Sequence, residues 1–105
     1  MAQVSLCVCA VVVAELGRYF SSGHDLGEFL QACQIDYDPL SMDAVVEAVR
    51  IMRGHVKTGA SRERTAPDFL IGAHAIKQTD ALLTTDAGFF RNCFEKLSVV
   101  APMGG

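Results

Sequence analysis

The chain has 105 residues, of which 50% are apolar and 20% are charged, and its formal net charge is −3 at pH 7. This composition excludes a disordered tail and predicts a single folded domain over residues 1–105 with a modest core. The acidic balance argues against a strongly basic protein that wraps nucleic acid. It is compatible with an enzyme that contacts phosphates through a metal ion and a few arginines.

Strands and helices alternate along the predicted chain. Strands are predicted at 4–8, 35–37, 81–84 and 97–100, and helices at 10–20, 26–33, 41–56, 67–77 and 87–94, with an exposed loop at 58–65. Short runs of three to five mostly apolar or β-prone residues predict the strands, and apolar residues at helical spacing predict the helices. Alternation of this kind is typical of βαβ units, so we expect an α/β fold with a mainly parallel sheet.

Two helices have a predicted buried face. In the first, an apolar stripe continues as far as Tyr19 before Ser21-Ser22-Gly23 ends the run. In the third, Ser41 is a candidate N-cap and Glu47 and Arg50 are expected to face water. The predicted stripe of this third helix consists of Met42, Val45, Val46, Val49, Met52 and Val56.

The four cysteines do not predict a metal or disulfide site. Cys7 and Cys9 are separated by one residue, unlike the Cys-x-x-Cys of zinc and redox sites. In a strand they would share one face and serve as small apolar residues. With no disulfide framework indicated, a reducing cytoplasm is the expected location.

The apolar run 4–14 has neither the basic flank nor the cleavage site of a signal peptide. It is also too short to span a bilayer. We therefore expect no membrane partner.

Three acidic residues are predicted to lie near one edge of the sheet. Glu15 is in the helix after the first strand, Asp68 is in the first turn of the helix that begins at Pro67, and Asp86 follows the strand 81–84. Ligands of open parallel sheets bind beyond the C-terminal ends of the strands. Carboxylates brought together there repel one another unless a cation lies between them, and Mg²⁺ and Mn²⁺ prefer oxygen ligands.

Each carboxylate also has a structural explanation. Asp86 is placed to cap the helix that follows it. Asp68 is three residues after Thr65, the spacing of a capping box. Glu15 is equally explained as a solvated helix residue. The histidines do not cluster: His24 and His55 are expected in or near loops, and His74 on a different helix face from Asp68, so a ligand role is not expected for any of them.

Three segments resemble motifs of PIN-domain ribonucleases of the VapC toxin type. Residues 66–75 (APDFLIGAHA) resemble the third acidic motif, in which an Asp begins a helix of small and aliphatic residues. Residues 82–90 (LLTTDAGFF) resemble the next motif, in which a strand ends in Thr-x-Asp before an aromatic turn. Residues 11–16 (VVVAEL) are similar to the segment that carries the second acidic residue. The order and spacing of the three fit over nearly the whole chain.

The resemblance implies a PIN-like three-layer α/β/α fold and Mg²⁺- or Mn²⁺-dependent cleavage of single-stranded RNA, tRNA included. It implies that Glu15, Asp68 and Asp86 hold the metal directly or through water. Thr84 would orient a carboxylate or a water molecule. A cognate antitoxin protein would be the natural partner.

Two arginines of the predicted loop are candidates for substrate binding. Arg62 and Arg64 could approach RNA phosphates. They are explained equally well as solvated loop charges.

The family begins with a strand that ends in an Asp, whereas the first Asp here is Asp25, in a predicted loop after Ser-Ser-Gly-His. We therefore expect an N-terminally truncated domain without that strand. An open edge beside 81–84 predicts either pairing of 4–8 with 81–84 or a homo-oligomer in which a second copy supplies a strand. Metal binding is expected to be weak.

Two other functions remain open at this stage. One is a catalytically impaired PIN-like module that acts in antitoxin binding or self-association. The other is a phosphatase or receiver domain, which also places Asp at strand ends. That class needs an acidic cluster after an early strand, and residues 4–10 contain no acidic residue.

Overall fold

The computed structural model describes residues 5–57 and 64–102, apart from the side chains of Val56 and Lys57. These residues form five helices and four short strands, and the strands pair in parallel. The predicted α/β class is confirmed. The chain divides into two compact units, Met1–Leu40 and Ser41–Gly105, which are described separately below. No helix in the described ranges has the length and apolar character needed to cross a membrane.

The first unit is a parallel pair of strands joined by two helices. Its elements are β1 (Leu6–Val8), α1 (Ala10–Gly17), α2 (Gly23–Ala32) and β2 (Ile35–Tyr37). Leu6 lies opposite Ile35 and Val8 opposite Tyr37. Two parallel strands need a long crossover, and the two helices provide it.

Helix α2 begins three residues earlier than predicted. The Ser22 hydroxyl accepts a hydrogen bond of 3.1 Å from the Asp25 backbone N–H, and Asp25 lies in the first helical turn. This cap and the favourable charge at the helix N-terminus outweigh the Ser-Ser-Gly sequence that suggested a loop. Asp25 and His24 are therefore helical, contrary to prediction, and His24 lies 3.1 Å from the carboxylate of Glu28.

The predicted burial near α1 is wrong at two places. The helix ends at Gly17, so Tyr19 falls outside it and is 74% exposed, with the Arg18 guanidinium 5.3 Å from its ring centroid. Strand β1 ends at Val8, so Cys9 is the N-cap of α1 and is buried while Cys7 is exposed. The two cysteines do not share a strand face because only Cys7 is in the strand.

The second unit carries two long helices followed by a strand, a short helix and a strand. Its elements are α3 (Met42–Lys57), α4 (Ala66–Gln78), β3 (Leu82–Leu83), α5 (Ala87–Cys93) and β4 (Val99–Val100). Leu82 lies opposite Val99 and Leu83 opposite Val100. The backbone N–H of Thr84 also donates to the Val100 carbonyl at 3.0 Å. This bond holds the segment immediately after β3 in place.

The strands differ from prediction in pairing and burial. The described strands form two separate two-stranded sheets, and β1 pairs with β2 rather than with the segment 81–84. β3 is also shorter than predicted and is not fully buried. Leu83 is 58% exposed and its neighbour Val100 is 51% exposed. Because side chains alternate along a strand, only one face of this pair is covered.

Helix α3 begins as predicted but buries a different face. The Ser41 hydroxyl accepts a 3.1 Å bond from the Ala44 N–H, which confirms the N-cap. Ala44 and Ala48 are fully buried, whereas Met42 and Val46 are 74% and 60% exposed. Small alanines allow a neighbouring helix to approach closely, so they rather than the larger aliphatic residues mark the contact face.

Glu47 was expected to face water, but its side chain is only 17% exposed. It accepts two hydrogen bonds of 2.8 Å from Arg50, one helical turn along α3. This fork-to-fork pairing is the favourable geometry for an arginine and a carboxylate.

Candidate metal centre

Asp86 follows β3 and stands at the N-cap position of α5. The Thr84 hydroxyl accepts a 3.0 Å hydrogen bond from the Asp86 N–H, which fixes the turn between the strand and the helix. The Asp86 side chain makes no capping hydrogen bond to α5. The capping explanation for Asp86 therefore does not hold, and its carboxylate is directed to another partner.

That partner is Arg64. Its guanidinium donates a hydrogen bond to Oδ2 of Asp86 and forms an ion pair with it. The same guanidinium lies 4.2 Å from the centroid of the Phe89 ring. The two paired side chains are 30% and 45% exposed, so water still reaches them. Arg64 is thus held by a carboxylate and an aromatic face, which excludes its interpretation as a freely solvated loop charge.

A second carboxylate, that of Asp68, also favours the positive charge of Arg64. The pKa of Arg64 is raised above its ordinary value, first by the hydrogen bond to Asp86 and then by the negative charges of Asp86, Asp68 and Cys93, while partial burial acts in the opposite direction. A positive charge is therefore favoured at a point that both aspartates influence.

Asp68 lies in the first turn of α4 and has the capping role that the sequence suggested. Its Oδ2 accepts a 3.3 Å hydrogen bond from the N–H of Thr65, the N-cap residue, in a capping-box arrangement with Pro67 in the first turn. A carboxylate has about four acceptor positions. This bond therefore leaves acceptor capacity on Asp68 for a cation.

The structure brings together only part of the predicted site. Thr84, Asp86 and Arg64 are in direct contact, and Asp68 lies within electrostatic range of Arg64. Glu15 lies on α1 in the first compact unit, where it is exposed. Arg62 lies outside the described residues.

An aromatic cluster packs around Phe89, three residues after Asp86, and was not predicted from the sequence. The Phe89 ring lies 5.6 Å from Phe69, 4.9 Å from Phe90 and 6.1 Å from His55, all edge to face. His55 lies near the C-terminal end of α3, and its Nδ1 is 3.6 Å from the Cys93 sulfur. Burial raises the pKa of the Cys93 thiol. The paired phenylalanines after Asp86 were the available signal for this cluster.

The residues present fit a hard divalent cation. Mg²⁺ is typically bound by one or two carboxylates with water and phosphate oxygens completing its shell. Asp68 and Asp86 supply two carboxylates, and the Thr84 hydroxyl supplies an oxygen 3.0 Å from the Asp86 backbone nitrogen. The donor set consists of oxygens alone, which suits Mg²⁺ or Mn²⁺ rather than a soft metal.

The chain matches a known protein family. A search of curated proteins found no match to the chain. A scan against protein families found the PIN domain, matched over residues 1–95. PIN domains have nuclease-type activity in general and typically use divalent metals. The chain therefore belongs to the PIN domain family.

Proposed function

We propose that the chain is a metal-dependent endoribonuclease of the VapC toxin type, which cleaves single-stranded RNA, including tRNA, with Mg²⁺ or Mn²⁺ held by Asp68 and Asp86. One observation carries the proposal. A cationic guanidinium is bound at Asp86 and is further stabilised by the charge of Asp68, so this point of the second unit attracts positive charge. Nuclease activity needs such a point beside the scissile phosphate.

Each residue has a defined part in this proposal. Asp68 and Asp86 would hold the cation, and the family resemblance implies Glu15 as a third carboxylate, acting directly or through water. The Thr84 hydroxyl fixes the Asp86 backbone and so sets the direction of its carboxylate. When bound, the divalent cation lowers the pKa of a water molecule and offsets charge that develops on the phosphate. Asp68 is preoriented by its bond to the Thr65 N–H.

A groove in the second unit offers a path for the RNA backbone. It has a volume of about 830 Å³, and the cationic side chains in its lining are Arg50, Lys77 and Lys96. Glu47 and Glu95 also line it, and Arg50 is already paired with Glu47. The two lysines are therefore the better candidates for phosphate contact, together with Arg62 and Arg64.

The proposal extends to two protein partners. A cognate antitoxin protein would control the nuclease, and a second copy of the chain would form a homo-oligomer. The exposed pair Leu83 and Val100 supports the second proposal, because apolar side chains beside a short strand favour contact with another chain. Free cysteines at 7, 9, 33 and 93 are compatible with the proposed cytoplasmic location.

One observation favours a second candidate function, a catalytically impaired PIN-like module that acts in antitoxin binding or self-association. Arg64 already neutralises Asp86. A chain in which this pair never opened would retain the fold without cleaving RNA.

An RNA cleavage assay distinguishes the two candidates. The purified chain is incubated with a fluorescent single-stranded RNA in Mn²⁺ and in EDTA, beside Asp86→Asn and the matched control Asp80→Asn, an exposed aspartate just before β3. We expect Mn²⁺-dependent cleavage that Asp86→Asn reduces by roughly a hundredfold or more and that Asp80→Asn leaves intact. Cleavage unaffected by Asp86→Asn would reject the proposed site. No cleavage by the purified chain would favour the impaired module.

A further inference from the structure

The Arg64 guanidinium lies beside the Asp86 carboxylate, where a divalent ion bound to Asp86 would be expected. It is bonded to Oδ2 of Asp86 and is stacked 4.2 Å from the Phe89 ring centroid. Arg64 comes from the segment just before α4, whereas Asp86 and Phe89 belong to the start of α5, so two parts of the second unit that are distant in the chain meet here. Other described arginines are engaged elsewhere: Arg18 with Tyr19, Arg50 with Glu47, and Arg91 with the Val99 carbonyl.

We propose that Arg64 is an internal counter-cation of the acidic site, which a divalent ion must displace from Asp86 before it can bind there. The inference rests on the proposed metal-dependent function and adds a regulatory element to that site. Arg64 then sets how much Mg²⁺ or Mn²⁺ the nuclease needs.

Arg64 and a divalent ion compete for the Asp86 carboxylate because of both geometry and charge. A carboxylate oxygen that accepts a guanidinium N–H is partly closed to a cation at about 2.0 to 2.6 Å, and the two positive charges repel each other. An arginine cannot lose its proton in a protein, so the competition persists across the physiological pH range. Metal binding must therefore move Arg64 away from Asp86.

The displacement is feasible because the pair is only partly buried. Ion pairs reached by water are weak, and an exposed cation–π contact adds a comparable amount. Together they predict that Arg64 lowers the affinity for a divalent ion by roughly three- to tenfold. Arg64 is therefore a modulator of metal affinity and not a permanent block.

Phe89 also helps to hold the Arg64 guanidinium beside Asp86. Its ring is held by edge-to-face contacts with Phe69 and Phe90, so the surface on which the guanidinium rests has a fixed position. A lysine at position 64 would keep the charge but lose the planar fork and most of the stacking. Substitution by Lys and by Gln therefore separates direct occupation of the site from a general effect of charge.

Isothermal titration calorimetry with Mn²⁺ tests the inference on the full chain. The variants are Arg64→Gln, Arg64→Lys and the matched charge control Arg50→Gln. We expect Arg64→Gln to bind Mn²⁺ three- to tenfold more tightly than the original chain, Arg64→Lys to gain part of that increase, and Arg50→Gln to show no change. If Arg64→Gln does not fold, Arg64→Lys alone still carries the test, because it retains the charge.

The outcomes distinguish this inference from the proposed function. Mn²⁺ binding that depends on Asp86 but is unchanged or weakened in both Arg64 variants would overturn the counter-cation role and leave the metal site intact. An increase of equal size in Arg50→Gln would overturn it as well, since charge alone would then explain the effect. No Mn²⁺ binding to any of the proteins would reject the proposed metal function and the inference with it.

Discussion

Asp86 occupies the N-cap position of α5, yet its carboxylate bonds to Arg64, 22 residues earlier in the chain, rather than to its own helix. An aspartate at this position would ordinarily accept from the exposed backbone N–H groups of the helix. Here the helix forgoes that cap, and the carboxylate is available to a cation. This arrangement is the clearest sign in the second unit that Asp86 has a role other than local stability.

The ion pair changes the expected stability effect of removing a charge from the site. Repulsion between carboxylates alone would make Asp86→Asn raise the melting temperature of the metal-free protein. Because Arg64 is paired with Asp86, we expect the melting temperature to fall slightly instead. The free energy of unfolding should decrease by less than about 1 kcal/mol, since the pair is partly exposed. Thermal unfolding in EDTA measures it.

A double-mutant cycle supplies the control for that experiment. Arg64→Gln, Asp86→Asn and the double variant should show a favourable coupling energy between the two positions. A rise in melting temperature for Asp86→Asn, with no coupling to Arg64, would show that repulsion dominates and that the ion pair is unimportant in solution.

Gly72 of α4 lies directly against the Phe94 ring in the core of the second unit. A Cβ atom at this position of α4 would lie 2.4 Å from Cε2 and Cζ of Phe94, a residue that is only 1% exposed. Gly72→Ala should therefore lower the free energy of unfolding by about 1 to 3 kcal/mol, as overpacked core substitutions do. Urea denaturation measures the change.

Gly54→Ala is the matched control for this substitution. Gly54 lies inside α3, and a Cβ there would meet nothing within 4 Å. Alanine at this open helical position should increase stability by about 0.4 to 1 kcal/mol. Equal effects of the two glycine substitutions would contradict the close contact between α4 and Phe94.

Because Glu47 is paired with Arg50, we expect the free energy of unfolding to depend on pH. The pKa of Glu47 is lowered from its ordinary value of 4.5, first by the hydrogen bonds from Arg50 and then by the charges of Arg50 and Lys77, against an opposing effect of burial. A carboxyl whose pKa is lower in the folded state stabilises the fold above its unfolded pKa. That contribution is lost as the pH falls through the folded value.

The corresponding measurement is unfolding of the original chain and of Glu47→Gln between about pH 6 and about pH 3. The original chain should lose more stability across this range than Glu47→Gln does. Glu95→Gln, at an exposed position, is the control and should follow the original chain. Parallel curves for the original chain and Glu47→Gln would show that the pair with Arg50 does not form in solution.

Local patterns in the sequence predicted most elements because each depends on nearby residues. The Ser41 cap, the strand 35–37 and the helix with Pro67 in its first turn were all predicted correctly. Errors arose where one local signal competed with another. At Ser22 the capping hydrogen bond from the Asp25 N–H stabilises a helix start where the glycine and serines had suggested a loop.

Burial and partners were harder to predict because they depend on residues distant in the chain. The apolar stripe of α3 indicated Met42 and Val46, but close packing selected Ala44 and Ala48. The motifs indicate Asp68 and Asp86 as candidate metal ligands, and this stays a prediction. The bond from Arg64 to Asp86 could not be predicted, because nothing in the sequence specifies that Arg64 lies against the end of β3.

The most direct test of the metal centre is the crystal structure of the chain soaked in Mn²⁺, with the ion located by its anomalous scattering. We predict one anomalous peak within about 2.6 Å of a carboxylate oxygen of Asp86 and of Asp68. The two carboxyl groups should lie within about 8 Å of each other, and the Arg64 guanidinium should have moved off Asp86. A peak bound elsewhere, or carboxyl groups of Asp68 and Asp86 too far apart to share an ion, would contradict it.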